Sequence, residues 1–214
     1  IMTFNIRMNT PADGEDAWPH RKDIAASMIR FHHADSVGLQ EALLGQNHDL
    51  AKRLSDYEWI GVGREDGKEK GEFMSIFYRP DRLKLMQHDT FWLSENPQEV
   101  GSFGWDAACR RIVTWARFRD RVTGRIFYHF NTHFDHRGKT ARRESAKLLV
   151  SKIKSIAGNT PAVVTGDFNC TPGSPPQDIL TGDGSPLKDA QNVSAHLHHG
   201  PTGTFSGFTK PGEP

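Results

Sequence analysis

What the chain lacks narrows it first. It holds two cysteines, Cys109 and Cys170, among 214 residues. That is too few for a disulfide framework, and no Cys-x-x-Cys spacing marks a redox or zinc site. The pair reads as free thiols or one bridge. Neither sign of charge dominates: 27 Lys and Arg stand against 26 Asp and Glu, for a net charge of +1. A general nucleic-acid coater carries a basic excess. No apolar run approaches the length that crosses a bilayer, and no signal peptide is visible. The 11 histidines include no His-Glu-x-x-His and no finger spacing. Repeats and low-complexity tracts are missing too. The 36% hydrophobic content suits a folded core rather than disorder.

What is present is mostly strand. Residues 1–7 alternate apolar and polar. Residues 11–16 are rich in turn formers. A helix is expected over 18–31, with Ile24, Met28 and Phe31 on its apolar face. Residues 36–41 read as a strand, 47–54 as a short helix and 57–62 as a third strand. The charge run from Arg64 to Glu72 reads as a solvated hairpin tip. Strands follow at 72–78 and 83–93, then a long irregular segment, 94–108, that carries Trp105. Residues 111–118 and 125–133 alternate around a Val-Thr-Gly turn and predict a hairpin. The best helix is 140–157, with Leu149, Ile153 and Ile156 on one face and Gly158 as its stop. Beyond Pro172 the chain is rich in Gly, Pro and Ser, and at most a short helix is expected, near 177–180. Trp92 and Trp115 read as core. Many strands with a few long helices between them predict an α/β sandwich, with helices outside two mixed sheets.

The chain is organised around Pro161-Ala-Val-Val-Thr-Gly-Asp-Phe-Asn169. Its apolar run ends in Gly166, followed by a carboxylate and a carboxamide, Asp167 and Asn169. Alternation puts these two on one side of an extended chain, with Phe168 toward the core. A plain Asx turn is the competing reading. Three other strands finish in the same manner, at Asn5, at Glu41, and at Asn131 with His133. A polar group closing an apolar run is either satisfied or functional. A single carboxylate such as Glu41 suits Mg²⁺, which keeps several of its waters. His133 titrates near neutral pH and can move protons. Asp167 can orient or deprotonate a water, and the amides of Asn5 and Asn169 can hold oxyanions or the acids beside them. Trp105, in its Gly-flanked loop, offers a stacking surface for a base or sugar.

Taken in order, Thr-Phe-Asn5-Ile, Leu-Gln-Glu41, Asn131-Thr-His133-Phe and Gly-Asp167-Phe-Asn169 resemble the motifs of the endonuclease/exonuclease/phosphatase superfamily. These are the Mg²⁺-dependent phosphoesterases that include deoxyribonuclease I. The resemblance covers nearly the whole chain. Asn-Thr-His-Phe-Asp-His-Arg-Gly138 and Phe91-Trp-Leu-Ser-Glu95 look most like a bacterial branch. The resemblance implies a four-layer α/β/β/α sandwich and a set of roles. Glu41 would bind Mg²⁺, or Mn²⁺, with Asn5 beside it. Asp167 and Asn169 would hold the nucleophilic water and the phosphate. His133 would contact the phosphate or protonate the leaving oxygen, oriented by direct contact with Glu72. Asn131, Arg111 and Arg137 are the further candidates for the substrate phosphate. Arg7 stands where some members carry an acid, which favours one principal metal. The implied reaction is in-line attack of water on a phosphate ester, a diester in preference. Nucleic acid, a phospholipid head group and a sugar phosphate are the substrate classes.

The family's closing Ser-Asp-His does not occur in the chain. The sequence therefore reads as one domain over 1–214, trimmed at both ends and lacking its last strands. Such a piece is expected to be inactive by itself, with His196, His198 and His199 the nearest substitutes for the missing base. Rival readings are a non-catalytic binding module acting through 94–108, a phosphomonoesterase, and a zinc hydrolase built on histidine clusters. Those clusters are His32 with His33, His133 with His136, and the late trio. Asn131 and His133 could be core hydrogen-bonders, and Asp135, His136 and Arg137 could simply shape their loop. No membrane span and no specific protein partner are expected. The compartment is not legible.

Overall fold

The computed structural model describes residues 1–196, 203–205 and 207–208. Among them lie two four-stranded sheets. In the first, β1 (Met2–Asn5) runs parallel to β2 (Ser36–Gln40), and β4 (Ile76–Tyr78) and β3 (Glu58–Ile60) continue it antiparallel, in the order β1-β2-β4-β3. In the second, β5 (Leu83–Trp92), β6 (Ile112–Asp120) and β7 (Ile126–His133) form an antiparallel meander. β8 (Ala162–Asp167) then joins β7 in parallel. Each sheet thus holds one parallel pair, and parallel neighbours need a crossover. The helices α1 (Trp18–Phe31) and α3 (Lys139–Ala157) supply those crossovers.

The helices cover the outer faces. Trp18, Ala25, Ala26 and Ile29 of α1 and Leu50 of α2 (Leu44–Arg53) pack on Val37, Leu39 and Phe77. Leu149 and Ile153 of α3 and Leu180 of α4 (Pro175–Thr181) pack on Val113, Trp115 and Phe130. Ile76, Tyr78, Ala116 and Phe118 fill the space between the sheets. This is the layered sandwich expected from the sequence. A four-residue helix, α5 (Ala190–Val193), follows.

Several local expectations change. Ile24, Met28 and Phe31 are exposed, and α1 buries its other face. There the small side chains of Ala25 and Ala26 admit close approach of helix to sheet. The run 64–72 is solvated only at its tip: Lys68, Glu69 and Lys70 are exposed, while Glu72 is buried. Residues 11–16 form a 3₁₀ turn. The strand expected over 72–78 is regular only from Ile76, although Phe73 bridges Ala42 and Gly63. Cys109 and Cys170 are free thiols. His196 is exposed, whereas His198 and His199 lie outside the described residues.

A polar seam joins the sheets behind their shared strand ends. The Ser36 hydroxyl meets His129 Nδ1 at 2.8 Å, and His129 Nε2 meets Thr165 Oγ1 at 2.8 Å. Thr165 Oγ1 donates to Asn131 Oδ1, which also accepts from Gln40 Nε2. Because Thr165 spends its proton on Asn131, His129 donates from Nε2 and accepts from Ser36 at Nδ1. Complete burial holds the His129 imidazole neutral, with its pKa pushed down to about 3. Asn131 Nδ2 donates to the carbonyls of Leu39 and Ser75. The seam leaves no room for a side chain at Gly38, whose Cβ would overlap Thr165 Oγ1 and lie 2.5 Å from Asn131 Oδ1. β1 and β8, each an edge strand among the described residues, pack against each other there. Thr3 Oγ1 of β1 accepts the Gly166 N–H of β8 at 3.1 Å.

Candidate active site

Two parallel pairs packed face to face put four strand ends in one place. Asn5 pairs in register with Gln40, one residue before Glu41, and His133 pairs with Asp167. The chain then turns sharply. Arg7, Glu41 and Asn169 take left-handed backbone conformations with φ of 56°, 62° and 47°. Non-glycine residues held there cost energy and concentrate at functional sites. Side chains hold the turns in place. Arg7 N–H donates to Asn5 Oδ1 at 2.9 Å, and Asn169 N–H donates to Asp167 Oδ1 at 3.0 Å. The Asx turn and the chemical cluster, rival readings of Asp167-Phe-Asn169, are therefore both present. Phe168 packs edge-on against Phe134 in the core.

The centre of the cluster is Asn5. Its Nδ2 donates to Glu41 Oε1 at 2.8 Å and to Asp167 Oδ2 at 3.0 Å. One amide group thus holds two carboxylates from opposite sheets. The second Glu41 oxygen accepts from Met8 N–H at 3.1 Å, with Arg7 Nη1 at 3.8 Å. Both carboxylates keep an open side: 17% of the Glu41 side chain and 35% of the Asp167 side chain are accessible. Two hard oxygen donors facing one opening match the chemistry of Mg²⁺.

His133 completes the group. Its Nε2 lies 2.9 Å from Asn169 Nδ2 and 3.7 Å from Asp167 Oδ2. Asn169 Nδ2 also donates to the Phe134 carbonyl, which only accepts, so the amide orientation is fixed. His133 Nε2 is therefore the acceptor, and its proton sits on Nδ1. That nitrogen is buried and has no partner among the described residues. Burial and the Arg111 charge push the His133 pKa down to about 4, against the pull of Asp167 and Glu41.

Glu72 does not orient this histidine. It pairs instead with Arg64 at 2.7 Å. Burial raises the Glu72 pKa against the charges of Arg64 and Arg111, and Glu41 raises it further. The expected direct contact fails because the turn at 63–72 folds Arg64 back onto Glu72, with Arg64 N–H on the Glu72 carbonyl at 3.1 Å. Asn131 is a second correction. It is fully buried, and its amide serves the seam on both sides, so it has no face for a phosphate. Arg111 is buried against Asp135, whereas Arg137 is exposed. Trp105 is half buried against the core of the second sheet, its backbone N–H donating to the Glu95 carboxylate at 3.2 Å. Sequence reasoning missed Arg64, hidden in a run that looked solvated. It also passed over Gln40, which the Leu-Gln-Glu motif does contain. Cys109, Asp135 and His136 bring ligand-type atoms within 4.8 Å of one another.

The sequence profile of the endonuclease/exonuclease/phosphatase family matches residues 2–214. The chain belongs to that family. The crystal structure of a family member from Bacteroides vulgatus is 50% identical, with a TM-score of 0.88 over 90% of this chain and 74% of that one. A mannosyl-6-phosphatase from Bacteroides thetaiotaomicron is 42% identical, with a TM-score of 0.82 over 85% of this chain and 69% of that one. Nocturnin from Drosophila melanogaster is 30% identical over 172 residues, or 74% of this chain and 25% of that protein. The chain spans between 25% and 59% of the curated relatives it matches. Members of the family are hydrolases of phosphate esters. Among the described residues no helix is long and apolar enough to cross a membrane.

Proposed function

We propose that the protein hydrolyses a phosphate ester with Mg²⁺, or Mn²⁺, held at Glu41. The observation that carries this reading is the Asn5 amide shared by Glu41 and Asp167. When bound, the cation offsets charge on a non-bridging phosphate oxygen. Asn5 keeps Glu41 and Asp167 from repelling each other and fixes their direction. Asp167 orients a water and takes its proton as the water attacks phosphorus in line with the ester oxygen. The phosphorus–oxygen ester bond breaks, releasing phosphate and an alcohol. His133 is neutral at pH 7 with its proton on the buried Nδ1, so its part is to hold Asn169 in place by accepting the amide N–H at Nε2. The leaving oxygen then takes its proton from solvent water. This departs from the general-acid role expected for His133, because the acid meant to raise its pKa pairs with Arg64.

The sequence favoured a diester. The 42% identical relative named a mannosyl-6-phosphatase supports a monoester instead, with sugar phosphates first. The test is a panel of sugar 6-phosphates, an aryl monoester, an aryl diester and single-stranded DNA, assayed at fixed Mg²⁺ with the full-length protein. Faster turnover of monoesters is expected. Faster diester turnover reverses the preference, and no turnover of any substrate supports the binding-module reading.

A further inference from the structure

Gln46 is a buried polar side chain outside the cluster of acids, in the first turn of α2 and 1% exposed. Its carboxamide serves two turns at once. Oε1 accepts the N–H of Leu43, two residues after Glu41, at 3.2 Å, and the N–H of Asn9 at 2.8 Å. Nε2 donates to the Arg7 carbonyl at 2.9 Å. Two donors on one atom and an acceptor on the other fix the orientation of the amide. From α1, Arg21 grips the same stretch: Nη1 donates to the Ile6 carbonyl at 2.8 Å and Nη2 to the Arg7 carbonyl at 3.4 Å.

The turns need holding. Arg7 and Glu41 sit at φ of 56° and 62°, a conformation that non-glycine residues keep only where their surroundings impose it. What Gln46 holds is a single peptide group, the one joining Arg7 to Met8. Its carbonyl accepts from Gln46 Nε2, and its N–H donates to Glu41 Oε2 at 3.1 Å. A trans peptide is planar, with C=O and N–H pointing opposite ways. Fixing the carbonyl on Gln46 therefore aims the N–H at Glu41. A flip of this peptide would turn an oxygen toward the carboxylate and replace attraction by repulsion. The other Glu41 oxygen is held by Asn5, whose Oδ1 accepts the Arg7 N–H at 2.9 Å. Both supports of the Glu41 carboxylate thus pass through the stretch that Gln46 ties down.

We infer that Gln46 is a positioning residue for the cation site: by holding the Arg7 carbonyl it keeps the Met8 N–H on Glu41 and so sets the direction of the carboxylate. The inference rests on the reading of Glu41 as the Mg²⁺ ligand. It is tested by calorimetric titration of Mg²⁺ into the metal-stripped full-length protein and its variants, with melting curves and amide exchange alongside. Gln46→Met keeps the length of the side chain without its hydrogen bonds. It should weaken Mg²⁺ binding about 10- to 100-fold, the usual cost of losing a partner that orients a metal ligand. It should also speed amide exchange at Met8 and Asn9 in the metal-free protein. Gln46→Ala leaves space for water to reach the same polar groups, which keeps the test decisive should Gln46→Met not fold. Water does not fix the direction of the peptide, so the same weakening is expected. Tyr78→Phe is the control. It removes a hydroxyl bonded to Glu58 at 2.6 Å, at the opposite end of the first sheet, and should lower the melting temperature with Mg²⁺ binding unchanged. Parent-like Mg²⁺ affinity in the Gln46 variants overturns the inference. So does a loss that Tyr78→Phe reproduces, since the effect would then be one of stability alone. A parent protein that binds no Mg²⁺ overturns the reading of Glu41 itself, a result distinct from binding retained in every variant.

Discussion

Replacing Asn131 separates scaffold from chemistry. Its amide makes four hydrogen bonds in the polar seam, to Leu39, Ser75, Gln40 and Thr165, at 2.7 to 3.0 Å. Asn131→Ala removes them all. The remaining partners are only partly rescued. Ser75 O keeps the Leu39 N–H, Gln40 Nε2 keeps the Gly38 carbonyl, and Thr165 Oγ1 can turn to Phe130 O. At about 1 kcal/mol net for each lost bond, the variant should be about 4 kcal/mol less stable. For a chain of this size that is about 8–16 °C in melting temperature. Urea denaturation and thermal unfolding measure the loss, and kcat/KM is taken well below the midpoint. The folded fraction should lose far less than the roughly 100-fold that removing a charge-stabilising contact costs. An unchanged midpoint with a 100-fold loss of kcat/KM would return Asn131 to the phosphate and refute this account of the seam.

Two further variants probe the same layer. Gly38→Ala drives a methyl into Thr165 and Asn131 and should destabilise by about 1–3 kcal/mol, the usual cost of overpacking, read as a lower urea midpoint. His129 makes stability depend on pH. Its folded pKa of about 3 lies below the ordinary 6.5, so the unfolded chain takes up the proton first. The stability is complete above pH 6.5 and falls by about 1.4 kcal/mol for each unit below it, until about pH 3. Urea midpoints across that range should fall less steeply in His129→Gln, and equal slopes would place the acid sensitivity elsewhere.

The strand ends were legible because each breaks an apolar run with a polar residue, and the family resemblance then ordered them. Sequence could not tell Asn5 from Asn131. Both are asparagines near the end of a strand, yet one faces the opening and the other the opposite sheet, a difference set by how the sheets are stacked. The α1 face was misread because Ile24, Met28 and Phe31 outweigh Ala25 and Ala26 in hydrophobicity, while packing distance favours the alanines. Glu72 was recognised as an acid of interest but given the wrong partner. Its pairing with Arg64 depends on a backbone turn that a charged, Gly-containing run does not reveal. The general-acid role expected of His133 rested on that pairing, since an orienting carboxylate raises a histidine's pKa.

The central claim is that Glu41 holds a divalent cation for phosphoester hydrolysis. It is tested most directly by titrating Mg²⁺ into the metal-stripped full-length protein and its Glu41→Gln variant, with hydrolysis of a sugar 6-phosphate as the readout. The parent should be inactive without the cation and regain activity with it. Glu41→Gln should keep the parent's fold, as judged by circular dichroism, and lose about 10²–10³-fold in kcat at any Mg²⁺ concentration. Equal Mg²⁺ dependence in the two proteins, or full activity in the stripped parent, would contradict the claim.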